Sequence, residues 1–218
     1  MTATEDILAL AANAAPTAAA AADLALFADA ATRGANSAPV RALRTLRPDH
    51  AGPAALPDSP AWRAWLSATA AIAGGDGRQT QHVVCAAATA AGEGRVEAAV
   101  AVGVEAAALV ESRLVESRLA GLADPGGWSL PAVSAVIGAG LAAGLMLGLT
   151  PGQLRCTLGI CATQAAGVHA ADSTDAGPVQ AGKAAFNAVE AAQLARLGFT
   201  SSGEPLDGRR ALFALFCT

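Results

Sequence analysis

The hydrophobic and polar positions of this chain follow the pattern of a helical protein. Apolar residues recur at three- and four-residue spacing through most of the sequence, and the alternating stretches typical of strands are nearly absent. We therefore expect an all-α fold of about eight helices and no sheet. Two helices are predicted over residues 6–46, and others over residues 61–73, 82–91, 96–120 and 151–165, with a further long helix after Gln180.

Glycine, proline and polar clusters separate these helices. The break at "RGANSAP" divides the first two, and residues 47–60 hold four prolines, which predicts an exposed loop. The stretches "GGDGRQT", "AGEGR" and "GLADPGGW" mark later breaks. A chain of 218 residues fits one large domain or two small ones, and we interpret residues 1–218 as a single helical domain.

Residues 129–154 carry no charged side chain and are long enough to span a bilayer. The run also contains Pro131 and several glycines, and more Ala-rich amphipathic sequence follows it. A central helix that is buried on all sides within a bundle gives the same pattern. We favour this buried helix, with the membrane span as the weaker alternative.

The composition narrows the class of protein. The chain is 53% apolar but only 4% aromatic, and much of the apolar content is alanine, which predicts closely packed helices. With a net charge of −4 and no basic patch, we expect no nucleic-acid or membrane partner. The first residues are acidic where a secretory leader is basic, which predicts a cytoplasmic chain.

The four cysteines form no CxxC pair, so we expect reduced thiols, no metal and no cofactor.

Two long stretches carry a family resemblance. "GWSLPAVSAVIGAGLAAGLMLGLTPGQLRCTLGICATQAAG" and "QAGKAAFNAVEAAQLARLGFTSSGEPLDGRRALFALF" closely resemble the MmgE/PrpD family, which includes 2-methylcitrate dehydratase, cis-aconitate decarboxylase and iminodisuccinate epimerase. The resemblance covers residues 127–216 and is weaker through "RVEAAVAVGVEAAALVESRL" and "AADLALFADAATRGANSAPVRAL". It implies a helical bundle that dimerises. Family members continue into an α+β lid domain, which we expect to be absent because this chain stops at Thr218.

The chain departs from the family at the residues that carry the chemistry. The family binds di- or tricarboxylates and moves a proton with Lys, His and Asp/Thr side chains. Where its Thr-Lys and His stand, this chain has Ala176, Gly177 and Gln180, and Ser129 replaces the His of the "G(F/W)H" motif. The Asp-rich segment is shortened, and its following His falls near Arg78. A glycine cannot hold a carboxylate and a serine is a poor proton acceptor, so we expect the inherited mechanism to be absent.

The remaining polar residues near these motifs supply the candidates. The predicted catalytic residues are His82, His169, Asp172 and Asp175, and the predicted substrate-binding residues are Arg78, Trp128, Ser129, Thr174 and Gln180. Each also has a structural interpretation, because loop Asp, Ser and Thr residues cap helices and an arginine is often a solvated loop charge. We expect Lys183 to form a structural ion pair, and Trp62 and Trp65 to lie in the core or at an interface.

Two functions remain open. The first is a repurposed lyase, isomerase or cyclase that acts on a larger or less charged biosynthetic small molecule, in a cleft between residues 170–179 and 127–129. The second is a non-catalytic helical subunit, a homodimer or a hetero-oligomer whose partner supplies a lid or the missing residues. Convergence of the candidate side chains on one pocket favours the first, and their dispersal favours the second.

Overall fold

The computed structural model describes residues 2–50, 59–92, 94–121 and 127–216, with the backbone alone at 47–50, 117–121 and 216. Within these residues the chain is all-α and has no strand, which confirms the expected fold class. The helices are α1 (Ala3–Ala12), α2 (Ala18–Gly34), α3 (Ala38–His50), α4 (Pro60–Ala73), α5 (Gln79–Ala91), α6 (Val96–Gly121), α7 (Leu130–Met146), α8 (Pro151–Thr163) and α9 (Ala176–Arg196), with 3₁₀ turns at His169–Ala171 and Phe213–Phe216.

Hydroxyl side chains and prolines define where several helices begin. Thr17 and Ser59 each accept a hydrogen bond from a first-turn N–H group, at α2 and α4. Thr150 and Gln153 form a reciprocal capping box at α8. Proline stands in the first turn of α4, α7 and α8, where its missing N–H group breaks no helical hydrogen bond.

The N-terminal part differs from the sequence expectation. Three helices, not two, occupy it, because the chain breaks a first time before Thr17, where Pro16 and the Thr17 cap separate α1 from α2. The predicted loop over residues 47–60 is also partly wrong. Helix α3 extends to His50 through Pro48, which removes one helical hydrogen bond without ending the helix, and Pro60 already belongs to α4. Residues 51–58 of that predicted loop lie outside the described residues.

Helix α9 begins earlier than expected. It starts at Ala176, so Gln180 lies inside the helix rather than before it. Gly177 and Pro178 look like loop residues, yet both occupy the first helical turn, where proline is tolerated. The polar loop that precedes the helix is therefore short.

Helix α7 is the buried centre of the bundle. Every residue from Ala132 to Gly144 is buried, and α5, α6, α8 and α9 all pack against the helix. Within residues 129–154, helix α7 ends at Met146, because Gly148 takes a positive φ of 66°. Thr150 then caps the start of α8. Across the described residues, no helix combines the length and apolarity that a membrane crossing requires.

Glycines allow the helices around α7 to approach closely. A methyl group added at Gly138 would lie 2.2 Å from the carbonyl oxygen of Gly103 in α6, well inside van der Waals contact. On another face of α7, a methyl group at Gly140 would lie 2.5 Å from the sulfur of Cys161 in α8. The α6–α7 and α7–α8 contacts therefore depend on the missing side chains.

Two of the cysteines are buried in the same core. Cys85 in α5 and Cys161 in α8 are fully buried free thiols, and Cys156 is half-buried. Burial raises the pKa of Cys85 to about 12, with a further contribution from the charge of Asp23, and burial raises the pKa of Cys161 to about 12. Both thiols are therefore protonated at neutral pH. Cys217 lies outside the described residues.

The substitution Gly138→Ala tests the α6–α7 contact. We expect it to lower the free energy of unfolding by about 3 kcal/mol, because the added methyl group must push two helix backbones apart. The matched control is Gly152→Ala in α8, where a methyl group meets no atom within 4 Å. Urea denaturation of the control should differ from wild type by less than about 1 kcal/mol. Equal effects of the two substitutions would contradict the close-contact account.

Thiol alkylation tests the burial of the cysteines. In the native protein at neutral pH, iodoacetamide should leave Cys85 and Cys161 unmodified while the half-buried Cys156 reacts, because the thiolate is the reactive form. Peptide mass spectrometry gives the extent of labelling at each site. Denaturation in urea before labelling is the control and should make all three residues reactive. Rapid native labelling of Cys85 or Cys161 would show that the bundle opens.

Candidate functional site

His169, Asp172 and Gln180 form one hydrogen-bonded group where the chain enters α9. His169 Nδ1 lies 3.0 Å from Asp172 Oδ2, and Gln180 Nε2 donates to Asp172 Oδ1 at 2.7 Å. Since an ionised carboxylate only accepts hydrogen bonds, His169 Nδ1 is the donor, and this contact selects the tautomer whose Nε2 is free to accept a proton. The His169 side chain is 76% exposed, so Nε2 is accessible to a ligand.

The Gln180 amide also fixes the backbone of the same turn. Its oxygen accepts from Val168 N–H at 3.0 Å, and its nitrogen donates to the Val168 carbonyl at 3.1 Å. Gly177 allows this arrangement, because a side chain there would lie 2.5 Å from the carbonyl oxygen of Asp172. The amide oxygen and nitrogen of Gln180 thus both bond to the loop before α9. Gln180 therefore positions Asp172 and does not bind a substrate itself.

The segment that enters α7 lies beside this group. Trp128 and Val168 form an isolated antiparallel bridge, in which His169 N–H donates to Gly127 O at 2.7 Å and Ser129 N–H donates to Gly167 O at 3.0 Å. The bridge brings residues 127–129 against the loop before α9. Trp128 is 38% exposed and Val168 is 57% exposed, so the bridge presents apolar surface where it leads into the His169 loop.

The start of α9 offers few hydrogen-bond donors to an anion. Thr174 Oγ1 accepts from Ala176 N–H at 3.2 Å, and the Thr174 carbonyl accepts from Gly177 N–H at 3.0 Å. The third position is Pro178, which has no N–H group. A helix N-terminus binds anions through its unpaired N–H groups, and here the first three positions present none.

Arg78 and His82 belong to a second polar group, between α2 and the start of α5. His82 is 1% exposed, and its Nε2 lies 2.7 Å from Asp76 Oδ1, which also accepts from the backbone N–H of Arg78 at 3.0 Å. The Arg78 guanidinium pairs with Asp23 Oδ1 at 2.9 Å. Phe27 covers the imidazole, with ring centroids 6.1 Å apart. His82 is therefore sealed from solvent and separate from the exposed His169 group.

The pKa of Asp76 is lowered by its contacts with Arg78 and His82. Partial burial acts to raise the pKa, but the hydrogen bonds from the Arg78 backbone and from His82, with the charges of both residues, outweigh it and hold the pKa below the ordinary value of an aspartate. Asp76 is thus a carboxylate at neutral pH. His82 Nδ1 is buried and has no hydrogen-bond partner within the described residues, so Asp76 is the contact that orients the ring.

Three other predicted site residues take structural positions. Thr174 caps the turn before α9, since its hydroxyl donates to Ala171 O at 2.8 Å as well as accepting from Ala176. Ser129 is fully buried, and its hydroxyl offers no surface to a ligand in this structure. Asp175 stands exposed at the N-cap of α9 without capping it. Of the four predicted catalytic residues, only His169 and Asp172 lie together.

Lys183 contacts aromatic rings. Its Nζ lies 3.4 Å from the ring centroid of Phe186 and 4.6 Å from that of Trp65. Burial lowers the pKa of Lys183, while the charge of Glu190 acts to raise it, and the ring faces also favour the ammonium form. Ring contacts thus take the place of the close ion pair that the sequence analysis expected. Trp65 also stacks edge-on against Trp62, which makes this a structural cluster between α4 and α9.

Two residues that shape these groups were not among the predicted site residues. Asp76 orients both Arg78 and His82, and its position two residues before Arg78 is a spacing typical of an Asx turn, which was a usable signal. Val168 supplies exposed apolar surface beside His169, and no sequence pattern marks it. Within the described residues, no three His, Cys, Asp or Glu side chains gather as metal ligands would.

The fold and this group define the class of protein. It is an all-α bundle domain with a histidine–carboxylate pair, and this pair lies where the segment before α7 meets the loop before α9. The model of the MmgE/PrpD N-terminal domain matches residues 66–218, well over half of the chain. The chain therefore belongs to the MmgE/PrpD family, as its motifs indicated. The match begins within α4, so the weaker resemblance nearer the N-terminus lies outside it. No curated protein matches the chain.

The substitution Asp76→Asn tests the buried group. We expect a loss of about 2 kcal/mol in the free energy of unfolding at neutral pH, because a charge-assisted hydrogen bond to His82 is lost. A lowered carboxyl pKa stabilises the fold above the ordinary aspartate pKa, and this contribution disappears as the pH falls through the lower folded value. The difference from wild type should thus shrink below about pH 4.

Urea denaturation over a pH series measures this difference. The control is Asp29→Asn, which removes an exposed ion pair with Arg33 and should cost less than about 0.5 kcal/mol. A pH-independent loss for Asp76→Asn would show that the carboxylate charge is not what holds His82.

Proposed function

We propose that this protein is a proton-transfer enzyme of the lyase or isomerase type, in which His169 is the general base and acid. The observation that carries the proposal is the His169–Asp172–Gln180 group beside Trp128 and Val168. Asp172 binds the Nδ1 side of the ring and leaves Nε2 to take a proton from a carbon next to a carbonyl group. The same nitrogen, once protonated, returns the proton to a neighbouring carbon or to a leaving group.

The hydrogen bonds within the group suit this role. Both oxygens of Asp172 are occupied, Oδ2 by His169 and Oδ1 by Gln180, so the carboxylate is held in place. Its negative charge stabilises the imidazolium that forms when Nε2 takes a proton. Asp172 and Gln180 are positioning residues, and His169 is the residue that would touch the substrate.

The surroundings favour a substrate with little negative charge. The start of α9 has no free N–H group at its first three positions, and Arg78 is paired with Asp23 in the other group. The exposed side chains of the bridge that precedes His169 are the indole of Trp128 and the side chain of Val168. A tricarboxylate would find few cations to bind there, whereas a ketone, ester or monocarboxylate with an apolar body would find a matching surface.

A second candidate function is that of a non-catalytic subunit in a homo- or hetero-oligomer. The dispersal of the predicted catalytic residues favours it, since His82 lies enclosed in a second group and Asp175 bonds to neither His169 nor Gln180. The exposure of the site favours it too, because an imidazole that is 76% exposed lies in water rather than in an enclosed cavity. Large apolar side chains are also exposed elsewhere, notably Leu197 at 78% and Phe199 at 58%. The two functions are compatible if a partner covers the His169 group, since exclusion of water strengthens acid–base chemistry.

Deuterium incorporation from solvent tests the enzymatic proposal. The protein is incubated in D₂O with a panel of ketones, esters and monocarboxylates, and with citrate as the highly charged comparison, and NMR follows exchange at the carbon next to the carbonyl group. We expect exchange into weakly charged members of the panel. His169→Gln should reduce its rate at least a hundredfold, the lower range for general acid–base catalysis.

The matched control is Asp175→Asn, an exposed carboxylate of the same loop that bonds to neither His169 nor Gln180. It should leave exchange unchanged, whereas Asp172→Asn should reduce it. Exchange that survives His169→Gln would contradict the proposal, as would turnover of 2-methylcitrate or cis-aconitate by the unaided protein. Light scattering of the same samples separates a monomer from the oligomer that the second candidate requires.

A further inference from the structure

A cleft of about 430 Å³ lies between the C-terminal half of α8 and the segment that follows α9. We name it the α8 cleft. Its lining comes from three stretches, 159–163, 200–205 and 210–215, and includes none of the predicted site residues. The volume falls within the range of roughly 300–1,000 Å³ that small-molecule sites occupy.

The walls of the α8 cleft are largely apolar. Ile160, Pro205, Leu212 and Leu215 line it, and Leu215 remains 63% exposed at its edge. Gly159 shapes the side formed by α8, because a methyl group there would lie 2.0 Å from Ser201 Oγ. The segment 200–202 can therefore rest directly on the helix. An apolar ligand chain would cover surface that now faces water.

Arg210 is the charged group of the α8 cleft that has no counter-ion. Its side chain lines the cleft, and its guanidinium has no hydrogen bond or ion pair within the described residues. The other charged residue of the cleft, Glu204, has a partner: it lies 3.6 Å from Arg155, which also binds Glu5 at 2.5 Å. Among the described residues, the Arg210 guanidinium is therefore the unpaired charge that the cleft presents beside its apolar walls.

The hydroxyl groups of the cleft offer little further binding to an anion. Thr163 Oγ1 donates to Ile160 O at 2.7 Å, and Ser201 Oγ donates to Ser202 O at 3.3 Å. Ser202 Oγ accepts from Glu204 N–H at 3.3 Å, which leaves its hydroxyl proton available. The Thr200 hydroxyl also lines the cleft and makes no hydrogen bond within the described residues. One guanidinium and two hydroxyl protons match a single carboxylate better than a multiply charged group.

We propose that the α8 cleft binds a small amphiphilic carboxylate, with the carboxylate at Arg210 and an unbranched apolar chain along Ile160, Leu212 and Leu215. This site is distinct from the His169 group, and the proposal holds whether or not His169 is catalytic. The charge complementarity at Arg210 and the uncovered Leu215 are the observations that support it.

Titration with octanoate tests the proposal. Isothermal calorimetry gives the Kd, and chemical-shift changes at residues 159–163 and 200–202 locate the ligand. We expect saturable binding of octanoate and about tenfold weaker binding of octanol, which has a comparable chain but no charge. Arg210→Gln should weaken octanoate binding about tenfold and leave octanol binding unchanged, because only the charged head group loses its partner.

The neighbouring Arg209 provides the matched control. It carries the same charge one residue earlier, is exposed, and does not line the α8 cleft. Arg209→Gln should change octanoate affinity by less than about twofold if the interaction is local. Absence of saturable octanoate binding by wild type would overturn the proposal. So would equal losses from Arg209→Gln and Arg210→Gln, or shift changes confined to residues outside the α8 cleft.

Discussion

The close approach of helix backbones around α7 is the constraint on which the rest of the structure depends. Gly138 and Gly103 allow α7 and α6 to touch at their backbones, and Gly140 gives Cys161 of α8 its place. Small side chains bury little area each, so the bundle gains stability from many close contacts rather than from a few large residues. A chain with 4% aromatic residues has few other means of forming a dense core.

This packing fixes the surroundings of the candidate site. With α7 and α9 held together, the segment before α7 meets the loop before α9, and the Trp128–Val168 bridge joins them. His169 is held from three directions: through its own N–H by Gly127, through its ring by Asp172, and through that carboxylate by Gln180. The site stands at the ends of buried helices, where backbone positions are well defined.

The described part of the chain has two histidine–aspartate pairs, one buried and one exposed to solvent. His82 is enclosed, so its bond to Asp76 serves stability and its ring is out of reach of a substrate. His169 makes a similar bond to Asp172 at the surface, where the second nitrogen remains accessible. The same pair of side chains is thus structural in one place and available for chemistry in the other, and solvent access makes the difference.

The sequence by itself determined the helical class, the buried centre and the family. Residues 129–154 are uncharged and rich in glycine, a pattern typical of a helix that packs closely on all sides, so α7 could be predicted. The start of α9 was not, because Gly177 and Pro178 are loop residues by preference and become helical only once Thr174 closes the turn. Only the tertiary structure decided which polar residues meet. Asp76 and His82 are six positions apart, and Trp128 and Val168 are forty, and no local pattern encodes whether such pairs end in the core or in water.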